Sequence, residues 1–122
     1  MQRDTRQRRA IREVFARERR PLSTDEVLIA GQGLVPSLGI ATVYRNIKSL
    51  VSEGWLHAVE LPGEPPRYER SGRPHHHHFI CRECEGAYDV EACPQDVERL
   101  APKGFVVESH ELVLYGRCPS CC

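Results

Sequence analysis

The chain has 122 residues, 40% of them hydrophobic and 28% charged, a balance typical of a folded soluble protein and not of a disordered one. No apolar run approaches the roughly 20 residues that a membrane helix needs, and the chain start lacks an apolar signal segment, so we expect a cytoplasmic protein without a membrane partner. In the cytoplasm, the six cysteines are expected to be metal ligands or redox thiols and not disulfides.

The formal net charge is zero, but the basic residues concentrate in the first half of the chain. Residues 1–57 contain ten Lys and Arg against six Asp and Glu, whereas residues 58–122 contain seven against eleven. Eight arginines lie within the first twenty residues. This asymmetry favours contact between the first half and a polyanion, although a solvated helix face explains the arginine cluster equally well.

Three amphipathic helices are predicted in the first half. Residues 5–18 have apolar side chains at helical spacing, and the capping box Ser23–Glu26 opens a second helix that Gly31 and Gly33 are expected to end. A third helix is predicted from about residue 40 to 53, with an apolar stripe on one face. Its other face presents groups that hydrogen-bond phosphates and base edges, namely Thr42, Tyr44, Arg45, Asn46, Lys48 and Ser49.

Two strands joined by a turn are predicted next, at residues 55–61 and 67–69. Three helices followed by a two-stranded hairpin is the order of a winged helix-turn-helix, and with basic charge in front it predicts DNA binding. An amphipathic helix alone is more often core packing, so the order of the elements carries this prediction. Because one small recognition helix usually needs a second copy for affinity, we expect a homodimer on double-stranded operator DNA.

Residues 71–74 are expected to form a hinge between a winged-helix domain at 1–70 and a smaller domain at 75–122. The predicted fold class is therefore α+β. In the smaller domain the pattern predicts strands at 79–81 and 87–90, a short helix at 94–100, and one or two strands within 105–107 and 111–115.

Two Cys-x-x-Cys pairs, Cys81 with Cys84 and Cys118 with Cys121, are the most specific motif. Each pair puts two sulfurs on one side of a tight turn, and two pairs make the tetrahedral four-sulfur site of structural Zn²⁺. Four cysteines leave no open position on zinc, and no His-Glu-x-x-His motif is present, so we expect neither enzyme activity nor a small-molecule substrate. A domain of about 50 residues is small for a self-sufficient core, so the metal is expected to contribute to its folding.

Four consecutive histidines, residues 75–78, precede the first cysteine pair. A purification tag would explain such a run, but tags lie at termini and this run is internal. On a strand, alternate side chains share one face, so His76 and His78 can share one ion while His75 and His77 point to the other side. A metal store or carrier that uses this run without DNA is the alternative of another class.

Three motifs follow one another along the chain: Ala41-Thr42-Val43-Tyr44-Arg45, the histidine run leading into Cys81-x-x-Cys84, and Leu114-Tyr115-Gly116-x-Cys118-x-x-Cys121. With these motifs in this order, the sequence resembles the ferric uptake regulator family of dimeric, metal-sensing bacterial repressors over nearly the whole chain. The resemblance implies a winged-helix domain, a small α/β dimerisation domain with structural zinc on the paired cysteines, and a repressor of metal uptake and homeostasis genes that binds its operator when loaded with metal.

The resemblance also implies a regulatory site at the hinge. Its implied ligands are His76, His78 and Glu69, together with His57, which lies where zinc-sensing members often place Asp or His. Pro21 stands where iron and peroxide sensors place a further histidine. These differences favour Zn²⁺ as the sensed ion, whereas mixed His and Glu ligands equally suit Fe²⁺, Mn²⁺ or Ni²⁺. A regulator that responds to iron, manganese or peroxide is the alternative within the family.

An additional site of the dimerisation domain is implied for His75, His77, Glu98 (or Asp96) and His110. A structural role for His110 alone is the alternative. Cys93 stands alone before a proline and is expected to be a half-buried structural thiol. Cys122 lies beside Cys121 and could replace it, but the two-residue spacing favours Cys121.

On the DNA side, the resemblance assigns contacts to Tyr44 and Arg45 of the third helix, with Thr42 on the same face. It assigns phosphate contacts to Arg6 and Arg8 at the start of the first helix. Phosphate contacts would supply most of the affinity and make it steeply salt dependent.

Overall fold

The computed structural model describes residues 5–122, which divide after Arg73 into two compact units. The fold class is α+β, as predicted, with three helices and a hairpin in the first unit and a three-stranded sheet in the second. None of the described helices is long and apolar enough to cross a membrane.

Three helices open the first unit, and they confirm the three predicted ones. They are α1 (Arg6–Arg17), α2 (Thr24–Gln32) and α3 (Ile40–Ser52). The Thr5 side chain caps α1 by accepting the backbone N–H of Arg8 at 3.1 Å. In the predicted capping box, the Ser23 hydroxyl accepts the N–H of Glu26, and the Glu26 carboxylate accepts the N–H of Ser23. These side chains bind N–H groups that have no partner within the helix, so they fix where each helix begins.

Gly33 is the C-cap of α2, as predicted, whereas Gly31 lies within the helix and does not end it. Its role is close packing, because a Cβ at this position would come 2.6 Å from Leu38 Cδ2. The backbone N–H groups of Leu34 and Val35 donate to the Gly31 carbonyl at 2.9 and 2.8 Å, and this turn leads the chain away from the helix after Gln32.

An antiparallel hairpin follows α3, with β1 at Leu56–Val59 and β2 at Arg67–Arg70. Leu22 and Tyr68 exchange two backbone hydrogen bonds of 2.9 Å, so the segment between α1 and α2 pairs with β2. Arg67 on β2 donates to the Glu26 carboxylate at 2.7 Å and ties the hairpin to the capping box. The three helices and this hairpin form the predicted winged helix-turn-helix.

Apolar side chains from all three helices and β1 fill the interior of the first unit. On α3, Val43, Ile47 and Leu50 are buried at helical spacing, so the opposite face of the helix is turned outward. Ile40, which the sequence places in the same stripe, is 38% exposed because it is the first residue of the helix. The core consists of Ala10, Ile11, Val14, Phe15, Leu22, Val27, Val35, Leu38, Val43, Ile47, Leu50 and Leu56.

A three-stranded sheet with the order β4-β3-β5 organises the second unit. Its strands are β3 (His77–Cys81), β4 (Ala87–Val90) and β5 (Val113–Gly116). Strand β4 is antiparallel to the central β3 and β5 is parallel to it, with Cys81 opposite Gly116. Among the described residues of this unit, the buried apolar side chains are Ile80, Cys81, Ala87 and Cys118. The apolar interior is therefore thin.

The second unit differs from the prediction in its helix. The helix expected at 94–100 is a single 3-10 turn, Val97–Leu100, because Asp96 has a left-handed backbone (φ 66°) that an α-helix does not accept. Of the one or two strands predicted near the end, one forms, β5. Phe105 and Val106 lie outside the sheet, with 70% and 86% of their surface exposed.

Candidate metal centres and nucleic-acid surface

The four paired cysteines come together at one end of the three-stranded sheet. Cys81 ends β3, Cys84 lies in the turn to β4, and the other pair follows β5. The parallel pairing of β3 with β5 brings the two pairs together, and their four sulfurs lie within 4.8 Å of one another. The Sγ atoms of Cys84 and Cys118 are 3.8 Å apart. A tetrahedron with zinc–sulfur bonds of about 2.3 Å has edges of about 3.8 Å, so the geometry fits zinc.

Backbone hydrogen bonds favour a thiolate in this four-cysteine cluster. The N–H groups of Cys84 and Cys118 donate to Cys81 Sγ at 3.5 and 3.4 Å, and they lower the pKa of Cys81 to about 6. By contrast, hydrogen bonding with Cys118 raises the pKa of Cys121 to about 12. Zinc binds thiolates, so a cluster that already stabilises one thiolate suits the predicted structural ion.

Tyr88 and Gly86 lie next to each other beside the four-cysteine cluster. The Tyr88 hydroxyl lies 3.9 Å from Cys84 Sγ, and burial raises the pKa of Tyr88 to about 12, so the phenol stays neutral. Gly86 leaves room for that ring, since a Cβ there would come 2.9 Å from the Tyr88 hydroxyl.

Cys122 lies outside the cluster, with its exposed thiol 3.8 Å from the Arg117 carbonyl oxygen.

The four histidines form two separate pairs. The ring centroids of His75 and His77 are 4.6 Å apart, and those of His76 and His78 are 4.9 Å apart. Each pair belongs to a different group of ligand atoms. This is the arrangement that the alternation of side chains along a strand produces.

His76 and His78 lie beside Asp89, which is opposite His78 in the β3–β4 register. The two Nε2 atoms are 3.8 and 4.0 Å from Asp89 Oδ1. His76 Nδ1 lies 2.8 Å from the Pro74 carbonyl oxygen, which can only accept, so Nδ1 carries the proton and the neutral ring has its lone pair on Nε2. Two imidazole nitrogens and a carboxylate suit a divalent transition metal.

His57 and Glu69 belong to the first unit, where they are direct partners in the hairpin register. His57 Nε2 lies 3.0 Å from Glu69 Oε1. Glu69 is only 3% exposed, and the Arg73 guanidinium lies 3.7 Å from its other oxygen. The predicted regulatory ligands thus come from both units, two from each. That all four bind one ion stays a prediction.

A second group consists of His75, His77, His110 and Cys93. His77 Nε2 lies 3.1 Å from His75 Nε2, 3.2 Å from His110 Nε2 and 3.3 Å from Cys93 Sγ. Burial lowers the pKa of His77, and the imidazoles of His75 and His110 lower it further. His77 is therefore neutral at pH 7, which is the form that binds metal.

Glu98, predicted for the additional site, is not a member of this group. It is exposed on the 3-10 turn, after the backbone has reversed at Asp96, which is exposed as well. The expectation of a half-buried structural thiol at Cys93 is also wrong. Cys93 is exposed, and its Sγ lies 3.1 Å from His110 Nε2 and 3.7 Å from His75 Nε2.

The outward face of α3 carries the residues predicted to contact DNA. Tyr44 is 55% exposed, and Arg45 beside it is exposed too. The Tyr44 hydroxyl accepts a hydrogen bond from Thr24 at 3.3 Å, and the Arg45 guanidinium donates to Thr42 at 3.1 Å. With Lys48, Tyr44 and Arg45 also line a groove of about 450 Å³ between α3 and the hairpin. These side chains are accessible and of the types that contact phosphates and base edges.

Arg6 and Arg8 differ, although both begin α1. Arg6 is exposed, whereas Arg8 is 5% exposed, donates to the Ser49 hydroxyl at 3.1 Å and forms an ion pair with Glu53. The Arg8 guanidinium therefore links α1 to the end of α3. The prediction that Arg8 contacts phosphate is wrong, because its guanidinium is buried and already paired with Glu53 inside the unit.

Sequence reasoning missed Asp89 and misjudged Cys93. A register count would have found Asp89, because the Cys81 N–H donates to the Gly86 carbonyl at 2.9 Å and the pairing that this turn sets puts Asp89 opposite His78. For Cys93, the available signal was a thiol outside both Cys-x-x-Cys pairs, in the half of the chain that holds five of the six histidines.

Comparison with known proteins identifies one family. The family profile described as "Ferric uptake regulator family" matches residues 2–115. The ferric uptake regulation protein of Bacillus subtilis (strain 168) is 30% identical over 117 residues, which cover 91% of this chain and 78% of that protein.

Two solved structures are similar over almost the whole chain. The ferric uptake regulator from Francisella tularensis with iron has a TM-score of 0.71 at 28% identity, covering 98% of this chain and 94% of that one. FurB from M. tuberculosis, a zinc uptake regulator, has a TM-score of 0.52 at 29% identity, covering 96% and 93%. One of these relatives is associated with iron and the other with zinc, so similarity does not select the ion.

Proposed function

The chain belongs to the ferric uptake regulator family, and from this premise we propose that it is a metal-dependent transcriptional repressor of metal uptake and homeostasis genes. One observation carries the proposal: among the ligand sets of a single small unit, two differ sharply in chemistry, the four thiols and the set around His76, His78 and Asp89. Thiolates hold zinc tightly, whereas imidazole and carboxylate ligands bind a wider range of ions. The first set suits a permanent structural Zn²⁺, and the second suits an ion that is sensed.

The exposed face of α3 supports binding to double-stranded operator DNA. The exposed Tyr44 and Arg45 are the proposed contacts to base edges and phosphates, Thr42 adds a hydroxyl group, and the exposed Arg6 adds a cation at the start of α1. Arg8 has no part in this surface, since its charge is paired within the unit. We expect the affinity for DNA to fall steeply with rising salt concentration, because phosphate contacts release counterions.

Exposed apolar side chains in the second unit support a homodimer. Leu100, Phe105 and Val106 are 85%, 70% and 86% exposed, and β5 is an edge strand of the sheet. Exposed large apolar side chains and open strand edges are features that a second copy covers. A two-fold dimer would also present two recognition helices to the DNA.

Zinc is the favoured regulatory ion. Pro21 offers no ligand where iron and peroxide sensors have a histidine, and His57 adds an imidazole nitrogen to the predicted set. Asp89 adds a carboxylate, which suits Fe²⁺ and Mn²⁺ as well. A regulator of the same family that responds to iron, manganese or peroxide is therefore the second candidate.

In the proposed mechanism, the fold holds the sensing ligands in place and their occupancy biases DNA binding. The Pro74 carbonyl orients His76, and the β3–β4 register sets Asp89 opposite His78. When bound, the ion supplies a positive charge at which further ligands assemble, with His57 and Glu69 as the predicted ones. Only ligand binding that differs between the DNA-binding and non-binding forms can change the affinity for DNA.

The test is a fluorescence anisotropy titration on a duplex selected from a random pool with zinc-loaded protein. We expect the wild type to bind this duplex about 5–150-fold more tightly with added zinc, the usual range of coupling between sites. The double variant His76→Ala/His78→Ala should lose this gain while keeping the zinc of the four-cysteine cluster, and Cys122→Ser should behave as wild type. An undiminished gain in the double variant contradicts the proposal.

The same assay separates the alternatives. A metal store would take up zinc without enriching any duplex from the pool. Variants His57→Ala and Glu69→Gln should lose part of the zinc-dependent gain, and full retention would remove them from the sensing set. Repeating the titration with Fe²⁺, Mn²⁺ and Ni²⁺ ranks the ions.

A further inference from the structure

Four ligand atoms converge in the group of His75, His77, His110 and Cys93. Three of them surround the fourth, His77 Nε2. His77 Nε2 lies 3.1, 3.2 and 3.3 Å from His75 Nε2, His110 Nε2 and Cys93 Sγ. Cys93 Sγ lies 3.1 Å from His110 Nε2 and 3.7 Å from His75 Nε2. All four ligand atoms lie within 4.8 Å of one another.

Hydrogen bonding alone does not account for this convergence. A ring nitrogen of neutral histidine offers either one N–H or one lone pair. His77 Nε2 can therefore make one good hydrogen bond, yet three polar atoms lie within 3.3 Å of it. With His77 only 2% exposed, water does not relieve the crowding at this nitrogen. A shared cation makes all of these short separations favourable at once.

The separations have the size of a tetrahedral zinc shell. With zinc–nitrogen bonds of about 2.05 Å and zinc–sulfur bonds of about 2.3 Å, a tetrahedron has N···N edges of about 3.3 Å and N···S edges of about 3.6 Å. The observed values of 3.1–3.7 Å lie around these edges. Oxygen-preferring ions such as Mg²⁺, Ca²⁺ and Mn²⁺ are poorly matched by three imidazoles and a sulfur.

We propose that Cys93 is a thiolate ligand and that it makes this group a three-histidine, one-cysteine site selective for Zn²⁺ over Mn²⁺ and Fe²⁺. The sulfur replaces the carboxylate ligand that the family resemblance implies at Glu98 (or Asp96). Cys93 and His75 are exposed, so an ion reaches the site from solvent. The proposal does not depend on DNA binding, and its test involves no DNA.

Cobalt(II) is the probe, because a thiolate bound to Co²⁺ gives a sulfur-to-metal charge-transfer absorption that nitrogen and oxygen ligands do not give. The full chain, with zinc already in the four-cysteine cluster, is titrated with Co²⁺, and a chromophoric chelator monitors any zinc released. We expect the wild type to gain the charge-transfer absorption without releasing zinc. Cobalt bound at His76, His78 and Asp89 contributes none of it.

The variant Cys93→Ser should lose this absorption and bind zinc at this site at least about tenfold more weakly, since a hydroxyl is a poor substitute for a thiolate. Cys122→Ser, a matched removal of an exposed thiol outside both clusters, should match the wild type, and so should Glu98→Gln. A tenfold excess of Mn²⁺ should not remove the cobalt signal. Charge transfer retained in Cys93→Ser, lost in Glu98→Gln, or accompanied by zinc release would overturn the proposal. Because Cys93 is exposed, we expect its variant to fold, and circular dichroism checks this.

Discussion

The two units are stabilised in different ways. Twelve buried apolar residues form the core of the first unit, whereas the buried apolar side chains described in the second are Ile80, Ala87 and two of the paired cysteines. An interior this thin does not offset the conformational entropy of about 50 residues. We therefore expect the first unit to fold without metal and the folding of the second unit to be coupled to metal binding.

The largest expected effect is the loss of the second unit when structural zinc is removed. Chelation, or the variant Cys81→Ser, should abolish hydrogen-exchange protection along β3 while the α1 and α3 amides stay protected, because only the second unit lacks an apolar core. Residue-resolved amide exchange measures both units in one sample. Protection of β3 that survives complete zinc removal would show that the second unit folds without metal.

A substitution in the apolar core should give the reverse pattern. Leu50→Ala is expected to lower the free energy of unfolding of the first unit by about 2–5 kcal/mol, because Leu50 is 1% exposed and leaves a cavity. The fluorescence of Trp55, the single tryptophan, reports this unfolding. The zinc content should not change. The control Ile29→Ala, at a 71% exposed position of α2 in the same unit, should change the stability by less than about 0.5 kcal/mol.

Arg6 and Arg8 provide a sharper test within the first unit. Arg8→Ala should lower its stability by about 1–3 kcal/mol, because Ser49 and Glu53 lose a buried partner, and leave the salt dependence of DNA binding unchanged. Arg6→Ala should leave the stability unchanged and reduce the slope of log affinity against log salt by about one. If Arg8→Ala changed the salt slope and Arg6→Ala did not, the assignment of the two arginines would be reversed.

The smallest effect concerns the pH dependence of the first unit. Burial raises the pKa of Glu26, but the Ser23 backbone N–H and the Arg20 guanidinium outweigh it, so the pKa lies below the unfolded value of 4.5. The stabilisation is therefore complete above pH 4.5 and is lost as the pH falls through the lower, folded value. Glu26→Gln should cost about 1 kcal/mol at pH 7, as expected for a partly exposed ion pair. Urea unfolding followed by Trp55 fluorescence should show this difference shrinking at pH 3, and a constant difference would contradict it.

The sequence predicted what depends on local pattern. The helices follow from apolar spacing and the Ser23–Glu26 capping box, and the four paired cysteines were identified from their spacing alone. Arg8 was misassigned because its partner, Glu53, is 45 residues away. Asp89 depends on pairing between two strands, and Cys93 on a loop whose path no periodicity describes. Residues whose roles depend on distant partners were the ones that local pattern did not reveal.

The spacing between His78 and Cys81 has a consequence for changes in chain length. Cys81 is fixed by the four-cysteine cluster, and the face of each histidine depends on whether its distance from Cys81 is odd or even. If one histidine were deleted or added, histidines would still stand three and five residues before Cys81. The repeat thus buffers the His76/His78 pair against such a change, whereas one residue inserted after His78 would exchange the two faces. The three-residue spacing from His78 to Cys81 must therefore stay constant if each histidine is to keep its face of the strand.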